Sequence, residues 1–110
     1  MASLKRGDLV TYVSAGDYGK PRPGLVVQSD SFTALPAVTL LPITSQLRDV
    51  PLLRIPIQPS AANGLQCDSE VMVDKITTIR RDKVGKVFGV AATQIMRDVT
   101  VAMRRFLETA

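Results

Sequence analysis

The sequence predicts a mainly β (α+β) domain, a small barrel or sandwich of short strands followed by one C-terminal amphipathic helix. Three observations carry that prediction. Over the first four-fifths of the chain, short β-branched and apolar runs are separated by clusters of Gly, Pro, Asn, Asp and Ser. From Ala91 onward the apolar period changes to that of a helix. The chain has 110 residues, 45% of them apolar, which suits one hydrophobic core and one domain spanning residues 1–110.

Taken in order, Asp8 to Val13 reads as the first strand, being β-branched and aromatic. Ser14 to Gly24 is too rich in Gly and Pro for a helix or an interior strand and is expected as a loop. Leu25 to Gln28 is a short apolar strand. Ala37 to Thr44 is another, with Pro42 suggesting a bulge or an edge position near its end. Leu52 to Ile57 alternates poorly and carries Pro56, so it is expected at an edge. Asn63-Gly64 marks a turn needing φ > 0. Glu70 to Val73 and Ile76 to Ile79 complete the strands, Lys86 to Phe88 is a short extended piece, and Gly89 is expected to break it. In the helix, Ala91, Ala92, Ile95, Met96, Val99, Ala102, Met103, Phe106 and Leu107 fall within an arc of about 160°, a stripe expected to pack against the sheet.

Composition excludes more function than it assigns. There is no histidine and only one cysteine, Cys67, so the common zinc ligand sets and the Ser–His and Cys–His nucleophile pairs cannot be assembled. No internal disulfide can form, and a reducing, cytoplasmic setting is expected. Met1 to Asp8 lacks an apolar h-region, and no apolar run approaches the roughly 20 residues that span a bilayer. No membrane association and no cofactor are expected. The formal charge of +4, from 14 Lys and Arg against 10 Asp and Glu, leans toward an anionic partner but suits a solvated surface equally well.

Three places hold groups able to do chemistry. Lys20-Pro21-Arg22-Pro23 carries two cations on a proline-stiffened segment, and the planar guanidinium of Arg22 donates two hydrogen bonds at once to a phosphate. Composition by itself favours an ordinary turn with a solvated arginine there. Thr44-Ser45-Gln46 ends a strand in hydroxyls and an amide, which can position a phosphate or simply form a turn. Asp74-Lys75, with Arg80-Arg81 beyond, could follow a nucleic-acid backbone or protect a strand edge.

These pieces together resemble the MazF/PemK-like toxins of bacterial type II toxin–antitoxin systems. The matching stretches are Lys5 to Val10, Arg22 to Val27, Pro42 to Gln46, Val73 to Ile79, Val84 to Gly89 and the closing helix. The resemblance implies an SH3-like β-barrel, a homodimer, and a toxin that cuts single-stranded RNA and is neutralised by a cognate antitoxin. It places catalysis on Arg22 and Thr44, and RNA contact on Lys20, Ser45, Gln46, Asp74 and Lys75, with no metal. Many members carry Gln where this chain has Lys75, so no base preference follows.

Such chemistry would need no histidine, because RNA brings its own nucleophile, the 2′-hydroxyl, already beside the phosphate. Arginine is a donor and a poor proton acceptor, so the general base stays unnamed, with Asp74 a candidate by charge alone. Two other readings share the fold: a toxin that binds and poisons DNA gyrase, and an inert SH3-like binding module. The gyrase-poison relatives rely on an aromatic C-terminal ending. This chain ends Arg105-Phe106-Leu107-Glu108-Thr109-Ala110 without tryptophan, which favours the nuclease.

Overall fold

The computed structural model describes residues 4–14, 16 and 19–109. It contains β1 (Asp8–Tyr12), β2 (Arg22–Val26), β3 (Ala37–Thr44), β4 (Arg54–Ile57), β5 (Ser69–Met72), β6 (Thr77–Arg80), β7 (Val84–Val90) and α1 (Thr93–Leu107). Single 3₁₀ turns occur at Asp30–Phe32, Val73–Lys75 and Arg81–Lys83. All strand pairs are antiparallel, in the order β4-β5-β3-β2-β1-β7, with β6 also beside β3. The outer strands β4 and β7 are not paired with one another, so the sheet is barrel-like but open.

Both faces of the central strands are covered, which is why they read as continuous apolar runs rather than clean alternations. On one face Leu9, Leu25, Val27, Leu41, Ile43, Ile55, Ile57, Val71 and Val73 pack with Ala91, Val99 and Ala102. On the other, Val10, Tyr12, Val26, Val38 and Leu40 form a smaller cluster, flanked by Leu4, Ile79 and Val84. The helix is joined to the N-terminal segment as well. The Arg6 guanidinium donates to the Val27 carbonyl and, at 2.7 Å, to Thr100 Oγ1.

Several local expectations are corrected. β2 begins at Arg22, three residues before the expected start, because Pro23 and Gly24 pair with Thr11 and Val10 of β1. Pro42 sits on neither an edge nor a bulge. β3 is the hub of the sheet, β6 pairs with it up to Leu40 and β5 from Ile43, so Pro42 falls where one neighbour hands over to the next. Gly89 does not break β7. A Cβ there would lie 2.0 Å from the Asn63 carbonyl oxygen, so glycine is required by the close passage of the 60–64 turn. Gly64 in that turn has φ +70, as its Asn-Gly signal predicts. The helix stripe is only partly buried: Val99 and Ala102 are enclosed, whereas Phe106 and Leu107 in the last turn are exposed.

Candidate active site

The antiparallel register of β2 with β3 brings the first two candidate groups together. Gly24 pairs with Pro42, Leu25 with Leu41 and Val26 with Leu40. Two residues beyond the last of these pairs lie Arg22, the first residue of β2, and Thr44, the last residue of β3, both at the same end of the ladder. The register is fixed by the buried ladder, since Leu25, Val26, Leu40 and Leu41 are all in the core.

Both residues line a groove of about 670 Å³, together with Lys20, Ser45 and Gln46. Thr44 is also structural: its Oγ1 accepts the Gln46 backbone N–H at 3.0 Å, which bends the chain as it leaves β3. Lys75 does not reach this groove. It lines an adjoining cavity of about 310 Å³ with Arg48, Arg54, Met72 and the shared Thr44 and Gln46. Asp74 lines neither space; its Oδ1 is buried, 3.8 Å from Arg54 Nε, and accepts no hydrogen bond.

The structure adds residues that sequence reasoning missed. Thr11 and Lys86 enter the groove from β1 and β7, and Gln66, Cys67, Ser69 and Phe88 complete its wall. Thr11 and Lys86 meet at an irregularity in the β1–β7 ladder, where Val10 pairs with Val87 but Tyr12 with Val84. β7 carries one extra residue at this point, as it does again between the Leu9 and Val10 pairs, and the Lys86 N–H donates to Thr11 Oγ1 at 3.1 Å. A Cβ on Gly85 would lie 2.3 Å from that same oxygen, so the bulge depends on glycine. The one sequence signal for it was Gly85 inside an otherwise extended run.

A second missed residue shapes the site without lining it. Glu70 pairs with Thr44 across β5 and β3 and is 5% exposed. Its carboxylate accepts the backbone N–H groups of Arg48 at 3.0 Å and Asp49 at 3.3 Å. Asp49 has φ +54, which turns successive N–H groups toward one point, the geometry that cradles an anion. The segment after Thr44 is therefore held at both ends, by the Thr44 hydroxyl and by Glu70.

Charge follows the same pattern. Among the described residues the groove is lined by three cations, Lys20, Arg22 and Lys86, and by no carboxylate. Open on one side and rich in hydroxyls and amides, it suits an extended anion. The described residues contain no group of three or more His, Cys, Asp or Glu placed to hold a metal ion. No helix among them is long and apolar enough to cross a membrane.

Comparison with known proteins agrees with this geometry. Residues 5–107 match the family described as the PemK-like, MazF-like toxin of type II toxin–antitoxin systems. A probable endoribonuclease MazF of Mycolicibacterium smegmatis is 44% identical over 96 residues, covering 86% of this chain and 88% of that protein. Among solved structures, a mycobacterial endoribonuclease in complex with its cognate antitoxin superposes with a TM-score of 0.80 at 21% identity, over 100% of this chain and 98% of that one. A MazE–MazF complex from Deinococcus radiodurans gives 0.82 at 18% identity, over 99% and 100%. At such identities the superpositions speak to the fold. The match over residues 5–107 and the 44% identical relative together show that the chain belongs to the PemK/MazF-like toxins of type II toxin–antitoxin systems.

Proposed function

We propose that this toxin is a single-domain endoribonuclease that cuts single-stranded RNA without a metal or cofactor, through Arg22 and Thr44. The observation that carries the reading is that Arg22 and Thr44, at adjoining ends of β2 and β3, line one groove together with cations and hydroxyls. In the reaction the RNA 2′-oxygen bonds to the adjacent phosphorus and the P–O5′ bond breaks. A 2′,3′-cyclic phosphate and a 5′-hydroxyl result. Arg22 donates to the phosphoryl oxygens as charge builds on them, and Thr44 orients the phosphate. The 2′-hydroxyl gives up its proton as its oxygen bonds to phosphorus, and the 5′-oxygen takes up a proton as it leaves.

Lys20, Ser45 and Gln46 contact the RNA on either side of the reacting phosphate, and Lys75 does so from the adjoining cavity. Asp74 acts through Arg54, beside which it lies. A cognate antitoxin neutralises the toxin by covering the groove, as expected of a family defined by toxin–antitoxin pairs and in keeping with the antitoxin-bound structures of similar fold. The toxin works in the cytoplasm as a homodimer. The direct test is cleavage of single-stranded RNA in excess EDTA. The wild type should cut, and Arg22→Ala and Thr44→Ala should each lose about 10²–10³ in rate while remaining folded, Thr44→Ala with a loss of about 1 kcal/mol in stability from the bond to Gln46. Undiminished cutting by both variants would remove these residues from catalysis.

A further inference from the structure

The groove wall formed by β7 and residues 64–67 carries two groups that the cutting reaction leaves unused. Phe88 is the unpaired residue of a β7 bulge, since Leu9 pairs with Gly89 and Val10 with Val87. It is half-buried, packed against the main core, and is the one aromatic ring lining the groove among the described residues. Gly64 lies so close that a Cβ there would sit 3.1 Å from Phe88 Cδ1. The ring is therefore held in place before any ligand arrives, and an apolar face in a groove of cations and hydroxyls suits a flat group.

Gln66 stands on the same wall, and the chain on either side of it is anchored. Before it, Asn63 Oδ1 accepts the Leu65 N–H at 2.9 Å, and Asn63 Nδ2 donates to the Gln58 carbonyl at 2.8 Å. After it, the Ser69 hydroxyl donates to the Cys67 carbonyl at 3.0 Å. The Gln66 side chain itself is exposed and makes no hydrogen bond to the described residues. Its amide thus offers an acceptor and two donors to whatever lies in the groove. A fixed ring and a free amide on one wall match a nucleobase, which has a face to stack and an edge to bond. A phosphate, with no flat face, would gain nothing from the ring.

We propose that Phe88 and Gln66 form a base-reading pocket: one base of the strand stacks on Phe88, Gln66 bonds its edge, and the two residues set sequence preference at that position. The proposal rests on the reading that the groove binds RNA. Its test is equilibrium binding of single-stranded 2′-O-methyl RNA oligonucleotides, which cannot be cut, to the full-length wild type, Phe88→Leu and Gln66→Leu. In one series each nucleotide in turn lacks its base; in another the base at each position is varied. Melting curves confirm folding, and Gln66→Leu, at an exposed position, bears the test alone if Phe88→Leu is unfolded.

One abasic position should weaken wild-type binding about tenfold, the worth of one base–aromatic stack. Phe88→Leu should bind the intact strand about tenfold more weakly and lose little further at that abasic position. Gln66→Leu should reduce discrimination among bases there by about tenfold and leave the other positions unchanged. Neither variant removes a cation, so the slope of log affinity against log salt should stay that of the wild type. An abasic scan with the same losses in wild type and Phe88→Leu would overturn the pocket. So would base discrimination untouched in Gln66→Leu, or a slope that falls in either variant. A wild type that shows the expected pattern yet cuts no RNA in excess EDTA overturns the nuclease reading instead and leaves the pocket standing.

Discussion

The two walls of the groove are built by different means. Arg22, Thr44, Thr11 and Lys86 are held by the sheet: backbone ladders with buried side chains behind them set their positions, and one bulge aims the last two. Ser45 to Asp49 lie outside any ladder and depend on two small devices, the Thr44 hydroxyl and the Glu70 carboxylate. The sheet wall is set by backbone pairing and is sensitive to side-chain change only where backbone and side chain approach closely, as at Gly85. The loop wall can be displaced by altering one buried atom group.

The largest expected effect separates chemistry from scaffold. Arg22→Ala, at an exposed strand start, should cost about 10²–10³ in cleavage rate while the protein stays folded, because the ladder with β1 uses the Arg22 backbone. Next comes Glu70→Ala. It removes two part-buried hydrogen bonds to the Arg48 and Asp49 backbone, a loss of about 1–2 kcal/mol in stability by chemical or thermal unfolding. Glu70→Gln keeps acceptor capacity and should recover part of both stability and RNA affinity. Equal losses for Gln and Ala would show that Glu70 is not holding the loop by accepting those bonds.

Gly85→Ala probes the sheet wall. Its Cβ would meet Thr11 Oγ1, so the bulge must shift, and cleavage should fall about tenfold with a smaller drop in stability, about 1 kcal/mol. The smallest effect belongs to Thr44→Ser, which retains the hydroxyl that accepts from Gln46 and should stay within about 0.5 kcal/mol in unfolding experiments. Thr44→Val, matched in shape but without an acceptor, should lose activity like Thr44→Ala. If Ser and Val behave alike, the hydroxyl plays no part.

How much of this was legible in the sequence divides along the same line. Local signals were readable: the change to helical period at Ala91, the strand from Ala37 to Thr44, the Asn63-Gly64 turn and the edge position of the Pro56 strand all appear as expected. Each depends on residues close in sequence. What could not be read depends on which strands become neighbours. Pro42 suggested an edge, yet it lies in the hub strand at the hand-over between β6 and β5. Gly89 suggested a break, yet it makes room for Asn63, some 26 positions away in the chain and in contact only after folding.

The same holds for the site. Arg22 and Thr44 were singled out by residue type and by family resemblance, and the β2–β3 ladder ends with both of them lining one groove. Lys86 and Thr11 carry no local mark beyond Gly85, because their meeting requires the β1–β7 pairing. Glu70 entered the sequence reading only as the first residue of a strand. Only its burial beneath Arg48 and Asp49 distinguishes it from Asp68, which is exposed.

The central claim is that the RNA's own 2′-hydroxyl attacks beside Arg22 and Thr44. The most direct measurement compares one oligoribonucleotide containing a mapped cut site with the same strand bearing a single 2′-deoxy sugar on the 5′ side of that cut. Both are incubated with the wild-type protein in excess EDTA. The all-ribose strand should be cut there, leaving a 2′,3′-cyclic phosphate, and the substituted strand should stay intact at that position. Cutting of the substituted strand at the same bond would contradict the claim, since no hydroxyl would remain there to attack.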